Sequence, residues 1–115
     1  MKVLVVDDDA ITRFILKTIL EKNGYTVQTA SNGFIALQQC KLCNFDFVLL
    51  DLHMPGLSGL DTAYELKMNA EYSFNGKIIA ITGDDDFKND YFDKILHKPI
   101  FANILLDTLN AHTFS

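Results

Sequence analysis

Three runs of this chain, residues 2–6, 45–50 and 77–81, are apolar almost from end to end, broken only by Lys2, Asp46 and Lys77. A strand with one face in water alternates polar and apolar side chains, so a run without alternation is buried on both faces. Such strands belong to parallel sheets roofed by helices, and each parallel neighbour needs a long crossover. The intervening segments supply the crossovers. Ile11, Phe14, Ile15, Thr18 and Ile19 recur at i, i+3, i+4, i+7 and i+8, the expected inward face of a first helix stopped by Asn23-Gly24. Residues 25–30 read as a second strand, and Ser31-Asn32-Gly33 as the turn and cap before a helix over 34–43 with Ile35, Ala36, Leu37 and Cys40 inward. A helix from Ser58 or Gly59 to about Asn69 sets Leu60, Ala63, Leu66 and Lys67 on one side. A short fifth strand covers 94–96, and a last helix, 101–111, turns Phe101, Ile104, Leu105 and Leu109 inward. With right-handed crossovers the expected architecture is α/β: one doubly wound, five-stranded parallel sheet of order 2-1-3-4-5 with helices on both faces.

The fourth crossover is short. Between a strand ending at Thr82 and one starting at Lys94, residues 83–93 give 11 positions, where a parallel return takes about a dozen or more. Asp84 is placed to cap a turn and Phe87 and Tyr91 stand at i, i+4, but Gly83, Asn89 and five aspartates oppose a longer helix. The fourth helix is therefore expected to be short or missing.

The 115 residues are expected to form a single domain, 1–115, and at 49% hydrophobic they supply a core without disulfide or structural metal. Fifteen acids against ten bases leave a formal charge of −5, which argues against bulk electrostatic binding to nucleic acid or to an anionic membrane. No apolar run approaches the roughly 18 residues of a membrane span, and none has the form of a signal peptide. A cytoplasmic location is expected. Cys40 and Cys43 form a C-x-x-C late in a helix. The dipole that activates such a pair acts at a helix N-terminus, so these read as reduced core or boundary thiols. His53, His97 and His112 show no zinc spacing.

Polar residues close four of the strands. The first ends at Asp7-Asp8, the third at Asp51, the fourth at Thr82, and Lys98 follows the fifth. The order 2-1-3-4-5 brings these to one carboxyl edge, where doubly wound sheets bind ligands. An Asp after a strand is commonly a turn residue or helix cap, and Asp9 reads as that. The combination is more specific. Three carboxylates crowd unfavourably, Lys98 offsets one charge, and a divalent cation offsets the remaining two. Oxygen-only ligands point to Mg²⁺ or Mn²⁺.

At these residues the chain resembles the receiver domains of two-component response regulators, of the chemotaxis-regulator, flavodoxin-like type. Val5-Val6-Asp7-Asp8, residues 48–56 (VLLDLHMPG), Ser58-Gly59, Ala80-Ile81-Thr82-Gly83 and Lys98-Pro99 carry the resemblance, which spans nearly all of residues 2–111. It implies that Asp51 accepts a phosphoryl group from a phosphohistidine. It implies Asp8 as a direct Mg²⁺ ligand, Asp7 as a ligand mostly through water, and the His53 backbone carbonyl as the last protein ligand. Thr82 would read the phosphoryl oxygens, Lys98 would pair with the phosphate, and Pro99 would follow a cis bond. The side chains of His53 and Asp84 would flank the path of the hydrolytic water. Gly83 stands where the family usually has Ala, and small size is preserved. The implied partner is a histidine kinase or a histidine phosphotransfer protein. No turnover beyond self-phosphorylation and autodephosphorylation is expected of this chain, although a hybrid histidine kinase is compatible as a parent.

The family's aromatic switch lies three residues before the lysine; here that position is Ile95. Together with the short fourth crossover, this keeps open a degenerate receiver that binds partners without phosphorylation. A small aspartyl-phosphate phosphatase fits less well, because it needs a second Asp two residues after the nucleophile, where His53 stands. The stunted crossover also leads to the expectation of a monomer, with partner contacts near the first helix and the loops around Asp51.

Overall fold

The computed structural model describes residues 1–84 and 86–113. Five parallel strands, β1 (Lys2–Val6), β2 (Thr26–Ala30), β3 (Phe47–Asp51), β4 (Lys77–Thr82) and β5 (Lys94–His97), form one sheet of order β2-β1-β3-β4-β5. Among the described residues, three helices join consecutive strands, α1 (Ala10–Lys22), α2 (Gly33–Leu42) and α3 (Gly59–Met68), and α4 (Ala102–His112) follows β5. A 3-10 turn at Ala70–Tyr72, which the sequence pattern did not indicate, follows α3.

Each strand feeds two cores by alternation. Leu4, Val6, Val48, Leu50, Ile78 and Ala80 meet Ala36, Leu37 and Cys40 of α2 and Ala63 and Leu66 of α3. On the opposite face, Val3, Val5, Phe47, Leu49, Ile79 and Ile81 meet Leu16 and Leu20 of α1 and Leu105 and Leu109 of α4. Both faces are dry, which is why the strand sequences carry no polar alternation.

The inward faces of three helices differ from expectation. In α1, Leu16 and Leu20 are buried, whereas Ile11, Phe14 and Ile15 are exposed, Phe14 to 69%. In α4, Leu105, Thr108 and Leu109 are buried and Ile104 is exposed, as is Phe101 at the N-cap. In α3, Leu60 and Lys67 face out and Thr62 is buried with Ala63 and Leu66. The stretch 11–20 holds two apolar stripes with the same three-and-four spacing, so periodicity fixes the repeat but not the phase. The observed phase lets the Asp9 carboxylate cap α1, accepting from Ile11 N and Thr12 Oγ1. It also brings Arg13 Nη1 within 2.7 Å of the Asp7 carbonyl.

Among the described residues, no helix connects β4 to β5. Short turns form, with Asp84 Oδ1 accepting from Asp86 N and Asn89 Oδ1 from Tyr91 N; Asp85, one of the five aspartates counted against a helix, lies outside the described residues. Aromatic rings cover the sheet instead. Phe92 is buried, Phe87 meets it edge to face at 5.8 Å, and Tyr91 meets Tyr64 of α3 at 5.5 Å. Asp93 then fastens the return to β4: its N–H donates to the Ile78 carbonyl and its carboxylate accepts from Ile78 N, both at 2.8 Å.

Candidate phosphoryl-acceptor site

The carboxyl edge of the sheet gathers the residues that close its strands. Asp7 follows β1 and Asp51 ends β3, each only 2% exposed, while the neighbouring Asp8 is open to solvent. One carboxylate oxygen from each of the three lies within 4.8 Å of the others. Lys98 Nζ stands 3.6 Å from Asp51 Oδ1, and the His53 amide donates to the same oxygen at 3.1 Å. Thr82 ends β4 fully buried. Its hydroxyl accepts from Asp84 N at 3.0 Å and lies 3.5 Å from His53 Nε2. Lys98 N donates to the Thr82 carbonyl at 2.8 Å, so the β4–β5 pairing continues into the lysine. The Lys98-Pro99 bond is cis.

Local sequence sets this geometry. Gly59 is required because a Cβ there would press on the Asp51 carbonyl and on Leu52 Cα; the bare backbone lets α3 start against the end of β3. Its N–H donates to the Leu52 carbonyl, while Ser58 Oγ caps α3 by accepting from Asp61 N. At Gly83 a Cβ would meet nothing within 4 Å, so the site is open there and alanine would fit as well.

Electrostatics at the edge are unbalanced. Asp7 Oδ1 accepts from Asp9 N at 2.8 Å, but Asp7 Oδ2 is buried without a partner. Burial is the main force holding the Asp7 carboxyl above its ordinary range; the Asp9 amide opposes it and the Asp51 charge adds to it. A buried orphan oxygen among three carboxylates fits a hard divalent cation with oxygen ligands, and no sulfur or imidazole nitrogen belongs to the cluster. The donor set matches Mg²⁺ or Mn²⁺.

The structure thus brings together Asp7, Asp8, Asp51, His53, Thr82, Asp84 and Lys98, with Gly83 and Pro99 beside them. Two features were not anticipated. Arg13 tethers the Asp7 carbonyl from α1, a contact that depends on the phase of that helix. The His53 ring reaches Thr82, whereas Ile95 packs as a partly buried apolar side chain.

Fold and edge together define a class: a doubly wound parallel sheet whose switch point carries an acidic cluster, a lysine and a hydroxyl. Residues 3–110 match the family model described as the response regulator receiver domain. The chain belongs to that family and is a receiver domain of two-component signalling. It is 34% identical to protein PilH of Pseudomonas aeruginosa over 115 residues, covering 96% of this chain and 95% of that protein. It is 33% identical to the autoinducer sensor kinase/phosphatase CqsS of Vibrio cholerae over 96% of this chain, but spans only 17% of that much longer protein. Among solved structures, the response regulator TrrA of Thermotoga maritima superposes with a TM-score of 0.81 at 33% identity, each chain 96% covered, in a complex with Mg²⁺-BeF. TrrA has also been solved in complex with the histidine kinase ThkA; there the TM-score is 0.85, with 97% of each chain covered. No helix among the described residues is long and apolar enough to cross a membrane.

Proposed function

We propose that Asp51 is the phosphoacceptor of a phosphorelay. One observation carries the reading: a nearly buried carboxylate lies 3.6 Å from Lys98 Nζ and beside an unpaired buried oxygen of Asp7. Buried charge with this surplus is costly to keep unless it serves chemistry.

In the proposed step an Asp51 oxygen attacks the phosphorus of a phosphohistidine on a histidine kinase or histidine phosphotransfer protein. The P–N bond breaks, and its electron pair returns to the imidazole, which takes up a proton. Phosphoryl transfer asks the protein for alignment and charge stabilisation rather than covalent chemistry. Asp8, Asp51, the His53 carbonyl and, through water, Asp7 would hold Mg²⁺ or Mn²⁺, which supplies positive charge to the acidic cluster and the transferred group. Lys98 and the Thr82 hydroxyl meet the phosphoryl oxygens. Water later cleaves the acyl phosphate, on a path flanked by His53 and Asp84.

Delivery by a partner is supported by the surface. Ile11, Phe14, Phe34, Phe101 and Ile104 are exposed, and all lie within the first two turns of helices that start at the Asp51 edge or immediately before one. Apolar side chains gathered at one end suit a docking face. The proposed setting is the cytoplasm, the proposed unit the single domain 1–115, and the proposed state a monomer. Acetyl phosphate with Mg²⁺ should add one phosphoryl mass to the parent protein and none to Asp51→Asn; equal modification of the two would reject Asp51 as the acceptor.

A further inference from the structure

The C-x-x-C pair has no part in the site above, and the structure places it at the opposite end of the sheet. Cys40 lies in the last turn of α2 and Cys43 caps that helix. Both are free thiols lining one cleft of about 340 Å³, which Phe45, Tyr72 and Phe74 share. Cys43 N still donates to the Gln39 carbonyl at 2.9 Å, so the chain follows the helical path up to Cys43. On that path the Cα atoms of residues i and i+3 stand roughly 5 Å apart, inside the roughly 4.4–6.8 Å that a disulfide spans. Cys43 itself turns extended, at φ −138° and ψ 150°, at the mouth of the cleft that Cys40 also lines. We infer that Cys40 and Cys43 form a reversible intramolecular disulfide when the domain meets a low-molecular-weight disulfide such as oxidised glutathione.

Exposure sets the order of events. Cys40 is 4% exposed and packed in the α2–α3 core, whereas Cys43 is half-buried at the cleft. Burial pushes the Cys40 thiol up to about 11, with the Cys43 charge adding to it. Cys43 is therefore the attacking thiol. Its thiolate attacks one sulfur of oxidised glutathione, the S–S bond breaks, and a glutathione thiolate leaves and takes up the proton that Cys43 lost. Cys40, deprotonated in its turn, attacks the Cys43 sulfur of the mixed disulfide and expels the second glutathione as a thiol. Two protein thiols are oxidised to one disulfide while one glutathione disulfide is reduced to two thiols. The slow step is the second, because Cys40 must lose its proton in an apolar setting.

The test uses the whole native domain and does not depend on the phosphorelay reading. Trypsin cuts after Lys41, between the two cysteines, so a disulfide joins peptides 23–41 and 42–67. Incubation with oxidised glutathione should lower the free-thiol titre from two to none and leave those peptides linked until a reductant is added. Cys40→Ala should stop at a single glutathione adduct on Cys43, and Cys43→Ser should keep its thiol. A parent protein that stops at the mixed adduct, keeps both thiols free, or links to a second copy would overturn the inference.

Discussion

At the scale of single residues, the acceptor edge is a set of charges placed where they cost stability. Asp7 and Asp51 are both nearly buried, and Lys98 stands against them, 3.6 Å from Asp51. Asp8 shares the cluster but keeps its water. In metal-free buffer, Asp7→Asn should therefore stabilise the domain by about 1–2 kcal/mol, because it removes a buried charge and gives the orphan position a group that can donate. Asp8→Asn should stabilise it less. Urea unfolding in the presence of a chelator reads both; an Asp7→Asn protein less stable than the parent would contradict the repulsion argument. The strand-closing residues were legible in sequence because each follows an apolar run and the sheet order brings them to one edge. The contacts of Arg13 with Asp7 and of His53 with Thr82 were not, since they depend on helix phase and on a ring orientation that no spacing encodes.

At the scale of elements, the strands and their order followed from the sequence, as did the inward face of α2, but the face of α1 did not and those of α3 and α4 did only in part. The α1 segment carries Leu16 and Leu20 on one stripe and Ile11, Phe14 and Ile15 on another, and both satisfy a helical repeat. The choice between them is made by the Asp9 cap and the Arg13 tether, which are tertiary details of the β1–α1 turn. Leu20→Ala should accordingly cost about 2–5 kcal/mol. Phe14→Ala should change stability by less than about 0.5 kcal/mol while weakening capture of the phosphorylated partner. Denaturation of the two variants beside a phosphotransfer assay separates these effects. A severe loss of stability in Phe14→Ala would mean that the exposed stripe belongs to the core. The β4–β5 return shows the reverse case. Its length and composition argued for a short or missing helix, and the structure fills the space with Phe87, Tyr91 and Phe92 and fastens it through Asp93.

At the scale of the whole molecule, a β4–β5 return with no helix among its described residues changes the surface beside β5. That face has turns and aromatic rings where a helix would offer a continuous stripe, and its flank is rich in aspartate. A face of this kind is a weak basis for self-association, and the net charge of −5 adds mutual repulsion. Light scattering should give the monomer mass with and without beryllofluoride and Mg²⁺. A dimer that appears only with beryllofluoride, and that substitutions in residues 83–111 abolish, would show that the shortened crossover still builds an association surface.

The functional reading turns on where the phosphoryl group goes, and chemical trapping locates it. An aspartyl phosphate is reduced by borohydride to homoserine, whereas a free carboxylate and a phosphohistidine are not. After treatment with acetyl phosphate and Mg²⁺ and then borohydride, peptide sequencing by mass spectrometry should find homoserine at position 51 alone, and none when Mg²⁺ is chelated. Homoserine at position 7 or 8 with Asp51 intact, or phosphate retained on His53, would contradict the assignment of Asp51 as the acceptor.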